Sequence, residues 1–215
     1  SETAWNVWDN GYGFVGLKPS GGQLLDSTRN QNHGTIYGAT LTTGPLGACL
    51  SFDGVDDHVV LGSVPLPANG DYTIQSLSIP ASGMPTQSRI YAEGNASNNH
   101  GIHQVLLDAT YLPGVASRDV NGADYVLYGA SPATPNHPLH LAHTVSGIDW
   151  ALYVNDAAAV TDSWDTLYSD MDYATIGAMK RGGVQFFFKG IIAEVHISSV
   201  ALSPAWIAAT NAALR

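Results

Sequence analysis

Three observations predict an all-β chain, an antiparallel β-sandwich. Short apolar runs alternate with turn residues along nearly the whole sequence, and almost nothing shows helical period. Gly (23) and Pro (11) are abundant while charged residues make up only 12%, so turns and neutral polar residues supply the surface. The chain has 215 residues, 45% of them apolar, which suits one large sandwich with its own core. Residues 13–215 are therefore expected to form a single domain, with 1–12 an N-terminal extension or first strand.

The elements follow in order. Leu50 and Phe52 lead into Asp53-Gly54, and His58–Leu61 returns from it, which reads as a hairpin or as two strands joined by an acidic loop. Further strands are expected at Tyr72–Ile79, Arg89–Ala92, Ile102–Leu107, Tyr125–Tyr128, His140–Val145, Trp150–Val154, Tyr173–Gly177 and Val184–Phe188. The last, Ile191–Ile197, alternates: Ile191, Ala193, Val195 and Ile197 on a core face, Glu194 and His196 on a wetter one. A short C-terminal helix is expected after Ser203, a suitable N-cap, and Pro204, a suitable first residue. The lone Cys49 sits between Ala48 and Leu50 and reads as a small buried thiol.

Four segments carry a resemblance. They are Asp26–Thr35 (DSTRNQNHGT), Ser51–Gly62 (SFDGVDDHVVLG), His140–Gly147 with Leu152–Asn155, and Phe188–Ser203 (FKGIIAEVHISSVALS). Collinear over about four-fifths of the chain, they resemble the laminin-G-like, concanavalin A-like jelly-roll family. The resemblance implies a jelly-roll sandwich, often with calcium at its rim, and a domain type found on phage virions and bacterial surface proteins. Ala193 and His196 depart from it, standing where the family commonly has Asp and Arg. The stretch Ala109–Pro138 matches no family segment.

Charge excludes several functions. The net charge is −10 with 8 Lys and Arg in all, and no basic cluster is present to neutralise phosphates or anionic lipid headgroups. Nucleic acid and membrane insertion are therefore not expected. No apolar run reaches the roughly 20 residues of a membrane span, and the N-terminus lacks the features of a signal peptide.

Enzymatic chemistry is not expected either. The fold also hosts retaining glycosidases, which need two carboxylates about 5–5.5 Å apart, and no such carboxylate pattern lies on a strand here. His140 and His143 are three apart, so a strand points them to opposite faces and a zinc pair is not expected. Calcium is the metal candidate, with Asp53, Asp56 and Asp57 in one acidic loop and Asp162 and Asp165 in another; calcium takes mixed carboxylate and carbonyl oxygens. Asp53 and Asp57 read more simply as turn residues bonding their own backbone, as do Asp26, Asn30, Asn32 and His33. Cofactors are therefore none, or structural calcium.

Sugars stack on exposed rings, which makes Trp164 and Tyr168 the expected platform, with Tyr111, Tyr125 and Tyr128 from the unmatched middle as further candidates. Trp150 and Trp206 are expected in the core or as a clasp. Trp5 and Trp8 need a covering surface and are candidate docking residues. The resemblance, more than these residues, implies a non-catalytic recognition or assembly module. The resemblance places it on a virion surface (capsid decoration or tail) or outside the cell, as a homo-oligomer docked on capsid or tail proteins, with host glycans as possible ligands. The alternative is a soluble lectin module; a glycoside hydrolase or polysaccharide lyase ranks last.

Overall fold

The computed structural model describes residues 18–20, 22–28, 30–44, 47–66, 70–97, 102–165 and 171–213. Trp5, Trp8, Tyr168 and the proposed boundary after residue 12 lie outside the described residues.

Two antiparallel sheets face one another. The nine-stranded sheet runs, in spatial order, Lys18–Ser20, Gln23–Leu25, Gly34–Tyr37, His58–Leu61, Tyr173–Ile176, Gln87–Gly94, Ile102–Asp108, Pro113–Arg118 and Asp124–Tyr128. The seven-stranded sheet runs Val160–Ser163, Asp149–Val154, Leu139–Ser146, Tyr72–Pro80, Lys189–Ser198, Gly47–Asp53 and Thr40–Gly44. A small hairpin, Met179–Lys180 with Val184–Gln185, pairs with neither sheet and packs against the nine-stranded one, where Met179 meets Ala92 and Tyr173. Towards the edges of each sheet neighbours are consecutive in the chain, whereas central neighbours such as His58–Leu61 with Tyr173–Ile176 and Tyr72–Pro80 with Lys189–Ser198 are distant in sequence, as a jelly-roll winding requires.

The core lies between the sheets. Leu50, Phe52, Ile74, Leu141, Trp150, Ile192, Val195 and Ile197 from one sheet meet Val59, Ile90, Tyr91, Leu107, Val115 and Ile176 from the other. Period-two alternation supplies most of these side chains. The expected alternation in the last strand fails at one point. A bulge between Ile192 and Glu194 adds a residue, so the face reverses there. Ile192, Val195 and Ile197 enter the core, while Ala193 packs on the outer face with Cys49 and Leu77. Nor is the outer face wet, since Glu194 and His196 are each 6% exposed.

The acidic loop is also not a hairpin. Gly47–Asp53 belongs to the seven-stranded sheet and His58–Leu61 to the nine-stranded one, so residues 54–57 carry the chain between layers. Val184–Gln185 is far shorter than the strand expected over 184–188. The helix Pro204–Ala213 forms as expected, with the Ser203 hydroxyl accepting from the Trp206 amide (3.4 Å). It buries Ile207, Thr210 and Asn211 and leaves Trp206 44% exposed, so Trp206 is not a core residue. No helix among the described residues is long and apolar enough to cross a membrane.

Candidate ligand-binding site

A depression of about 500 Å³ opens on the outer face of the nine-stranded sheet. Its floor comes from three adjacent strands, through Arg89, Leu106 and Ala116. One wall is the edge strand with Asp124, Val126 and Tyr128; the other is the small hairpin with Met179, Arg181 and Phe186. Its size suits a small ligand.

Two hairpins build the walls. The strands Pro113–Arg118 and Asp124–Tyr128 pair so that Arg118 faces Asp124 and Gly114 faces Tyr128. Asn121-Gly122 lies in the connection, and Gly122 takes φ 83°, the conformation glycine adopts without strain. A Cβ on Gly114 would stand 2.8 Å from the Tyr128 ring, so the bare glycine lets that ring lie over the strand. In the other hairpin Arg181 donates its amide to the Gly183 carbonyl (2.8 Å), and Gln185 Nε2 donates to the Arg181 carbonyl (3.1 Å).

Arg89 is 5% exposed. Its guanidinium lies 4.7 Å from the Phe186 ring centroid, a cation–π contact, and its Nη2 donates to Gln87 Oε1 (3.3 Å). Burial pulls its pKa down to about 10, with the Arg181 charge adding to the effect against the pull of Tyr128 and Tyr173. Phe186 holds its ring there at a backbone φ of 60°, which bulky residues avoid and which costs on the order of 1–3 kcal/mol. The Arg89 amide donates to the Phe186 carbonyl (3.0 Å), tying this strained residue to the sheet.

Arg118 donates twice to Asp124, from Nε to Oδ1 and from Nη2 to Oδ2, both at 2.6 Å. These bonds hold the Asp124 carboxyl below the usual carboxylate range, against the effect of partial burial. Asp108, the other lining carboxylate, accepts at Oδ1 from the amides of Thr110 (2.7 Å) and Leu112 (2.9 Å) and from the Thr110 hydroxyl (2.7 Å). Desolvation would raise Asp108, but those bonds outweigh it and its pKa lies below the usual range.

The residues singled out from sequence separate in space. Of the aromatics, Tyr128 lines the depression, 42% exposed. Trp164 packs edge-on against the core Trp150 (4.9 Å between centroids) and against Tyr125 (5.6 Å), so this pair covers the core instead of presenting open rings. Tyr111 sits in a turn at φ 65°. Its hydroxyl donates to the Ala81 carbonyl (3.2 Å) and accepts from the Met84 amide (3.3 Å), bridging two loops.

Asp53, Asp56 and Asp57 bring their ligand atoms within 4.8 Å of one another. Two of these carboxylates already serve the backbone: Asp57 Oδ2 accepts from the Asp53 amide (2.8 Å), and Asp53 Oδ1 from the Val55 amide (2.7 Å). Asp162 and Asp165 lie at and beyond the strand Val160–Ser163, which borders the opposite edge of that sheet, so the five do not converge. Asp26 likewise accepts from the Thr28 and Asn32 amides (both 2.8 Å), organising its own loop.

His143 lies in the core, its ring centroid 4.9 Å from that of Trp150, while His140 Nε2 meets Gln75 Oε1 at 3.3 Å on the outer face. The three-residue separation thus divides them as expected. What sequence reading missed is Arg89, Arg118, Arg181 and Phe186. The Asn-Gly pair at 121–122 was the available signal, because it predicts a hairpin there; a two-residue turn would set Arg118 opposite Tyr125, and the three-residue loop sets it opposite Asp124 instead.

The family is shown by the sequence itself. Residues 53–208 match the model of the concanavalin A-like lectin/glucanases superfamily, in its laminin-G-like branch. The chain belongs to this superfamily. No curated protein matches the sequence. Among solved structures, the fold is similar to the binding domain of botulinum neurotoxin serotype D, with a TM-score of 0.74, 13% identity, and 95% of this chain covering 52% of that one. It is similar too to the binding domain of Paraclostridial Mosquitocidal Protein 1, at 0.72 and 12%, with 93% of this chain covering 52% of that one. The CBM40 of Ruminococcus gnavus IT-sialidase, solved with alpha2,3 sialyllactose bound, aligns at 0.61 and 17%, over 67% of this chain and 83% of its own. The chain thus spans about half the length of the toxin binding domains it resembles.

Proposed function

We propose that this chain is a non-catalytic recognition module whose ligand is a glycan, held in the depression on the outer face of the nine-stranded sheet. The observation that carries this reading is the composition of that depression. The exposed Tyr128 ring, Val126 and Phe186 offer apolar surface for the face of a sugar ring, while Thr86, Gln87 and the arginines offer hydrogen bonds for its hydroxyls. The solved relatives support it, since they include binding domains and a carbohydrate-binding module.

The state of the carboxylates supports a binding role over catalysis. A glycosidase's general acid needs a raised pKa, yet Asp108 and Asp124 are both held below the usual range. Glu93 is pushed up to about 8 by burial, but it is 0% exposed and out of reach of a substrate.

An extracellular or virion-surface setting is part of the proposal, resting on the family resemblance, with capsid or tail proteins as partners of a homo-oligomer. Co-purification with a particle tests the setting. A glycan array tests the binding: hits that Tyr128→Ala weakens by about fivefold or more, at an unchanged melting midpoint, are expected, a ring contact being worth about 1 kcal/mol or more. An array without hits overturns the reading.

A further inference from the structure

We infer that the glycan bound in this depression is uncharged, and that the Arg118–Asp124 pair selects it by reading two neighbouring hydroxyls. The inference rests on the glycan reading above and narrows its ligand class. Its basis is the strip of side chains on the edge hairpin. Alternation puts Asp124, Val126 and Tyr128 on one face of their strand, and the pairing sets Arg118, Ala116 and Gly114 opposite them. The strip therefore runs from an ion pair, past two apolar side chains, to the exposed Tyr128 ring over a bare glycine. From Asp124 to Tyr128 an antiparallel strand advances about 14 Å, so the stacked ring and the hydroxyls at the pair belong to different sugars of one oligosaccharide.

The pair meets a sugar already formed. Arg118 donates to Asp124 through Nε and Nη2, both at 2.6 Å, which leaves its other Nη hydrogens and a second lone pair on each Asp124 oxygen. The Asp124 side chain is more than half exposed and that of Arg118 a quarter exposed, and both line the depression. Donors thus stand beside acceptors in a fixed arrangement. Of two hydroxyls on adjacent carbons, one donates to Asp124 while the other accepts from Arg118, and charged partners make such bonds strong.

Charge in the depression is otherwise matched. Arg181 also acts on Asp124, Arg89 lies against the Phe186 ring and bonds Gln87, and Asp108 is held by its own turn. An anionic glycan would meet the negative charges of Asp108 and Asp124 within a chain of net charge −10, and like charges brought together cost affinity. A neutral one meets no such repulsion.

The test is calorimetric titration at about 0.15 M salt with the trimers of mannose, glucose and galactose, each against the trimer of its uronic acid. At least one neutral trimer is expected to bind, about tenfold or more tighter than its uronate counterpart. Arg118→Gln should weaken that neutral trimer about tenfold without lowering the melting midpoint, since an exposed ion pair contributes little to the fold. Asp124→Asn should weaken it too and at the same time strengthen the uronate, a change of preference that a merely structural pair would not produce. A deoxy trimer lacking the hydroxyl held by Asp124 should bind the native and Asp124→Asn proteins alike. Equal or tighter binding of the uronates overturns the inference. If Arg118→Gln and Asp124→Asn are both inert while Tyr128→Ala weakens binding, the pair reads no hydroxyls, and the inference falls while the glycan reading stands. If no neutral trimer binds although the array yields hits, the inference is again wrong; an array without hits removes the glycan reading as well.

Discussion

On the outer face of the seven-stranded sheet, Gln75, His140, Glu194 and His196 are each less than a tenth exposed. On the outer face of the nine-stranded sheet, Val126 and Tyr128 stay about two-fifths exposed beside an open depression. Both faces carry polar side chains on antiparallel strands, yet they differ in what those side chains are for. Buried polar groups must find partners within the fold, as Gln75 and His140 do with each other. At the depression the polar groups border solvent, and a ligand can reach them. Polar residues on a sheet thus serve the fold where the face is closed and stay accessible to a ligand where it is open.

The largest test of that contrast is His196→Ala. Removing a buried polar side chain leaves its surroundings unsatisfied, at about 1–3 kcal/mol. The denaturation midpoint should fall while the folded fraction binds glycan unchanged. A loss of binding at full stability would move function to the closed face and break the comparison.

A pH-dependent effect comes from groups between the sheets. Burial pushes Glu93 up to about 8, where its carboxyl accepts from the Leu66 amide (3.0 Å) and bonds the Tyr91 hydroxyl. The unfolded chain ionises at the ordinary carboxylate value, so Glu93 lowers stability as pH rises from about 4.5 toward 8. Burial pulls His143 down to about 3, and its contribution to stability is lost as pH falls below the ordinary imidazole value of about 6.5. Melting midpoints should therefore peak in mildly acidic buffer, and Glu93→Gln should flatten the alkaline side. An unchanged alkaline slope in Glu93→Gln would show that the fall arises elsewhere.

The smallest effect is expected from chelation. The carboxylates of Asp53 and Asp57 are occupied by backbone amides, so a chelator should leave the melting midpoint where it is. A ligand bound only by the folded state must raise that midpoint, and a drop on adding EDTA would make the acidic loop a calcium site.

Much of this could be read from the residues in order. Alternation marked strands such as Leu139–Ser146 and Asp149–Val154 to within a residue or two, because side-chain period is a local property of an extended chain. The Ser203-Pro204 helix start was legible for the same reason. The strand Pro113–Arg118 was not, since Pro113, Gly114 and Ser117 read as loop; it is a strand because two neighbours supply its ladder. The bulge at Ile192–Glu194 was equally hidden, and it reversed the face on which Ala193 lies.

By itself, then, the sequence determined the fold class, the family and the absence of any basic run that could bind nucleic acid. It also placed His140 and His143 on opposite faces. Only the tertiary structure decided where a ligand can sit. Arg89, Arg118 and Arg181 are separated by 29 and 63 positions and share no motif. They converge because the strand order sets Gln87–Gly94, Ile102–Asp108, Pro113–Arg118 and Asp124–Tyr128 side by side, with the Met179–Gln185 hairpin against them. Local periodicity fixes which way each side chain points, whereas strand order, a long-range outcome of burying both sheets, fixes which side chains meet.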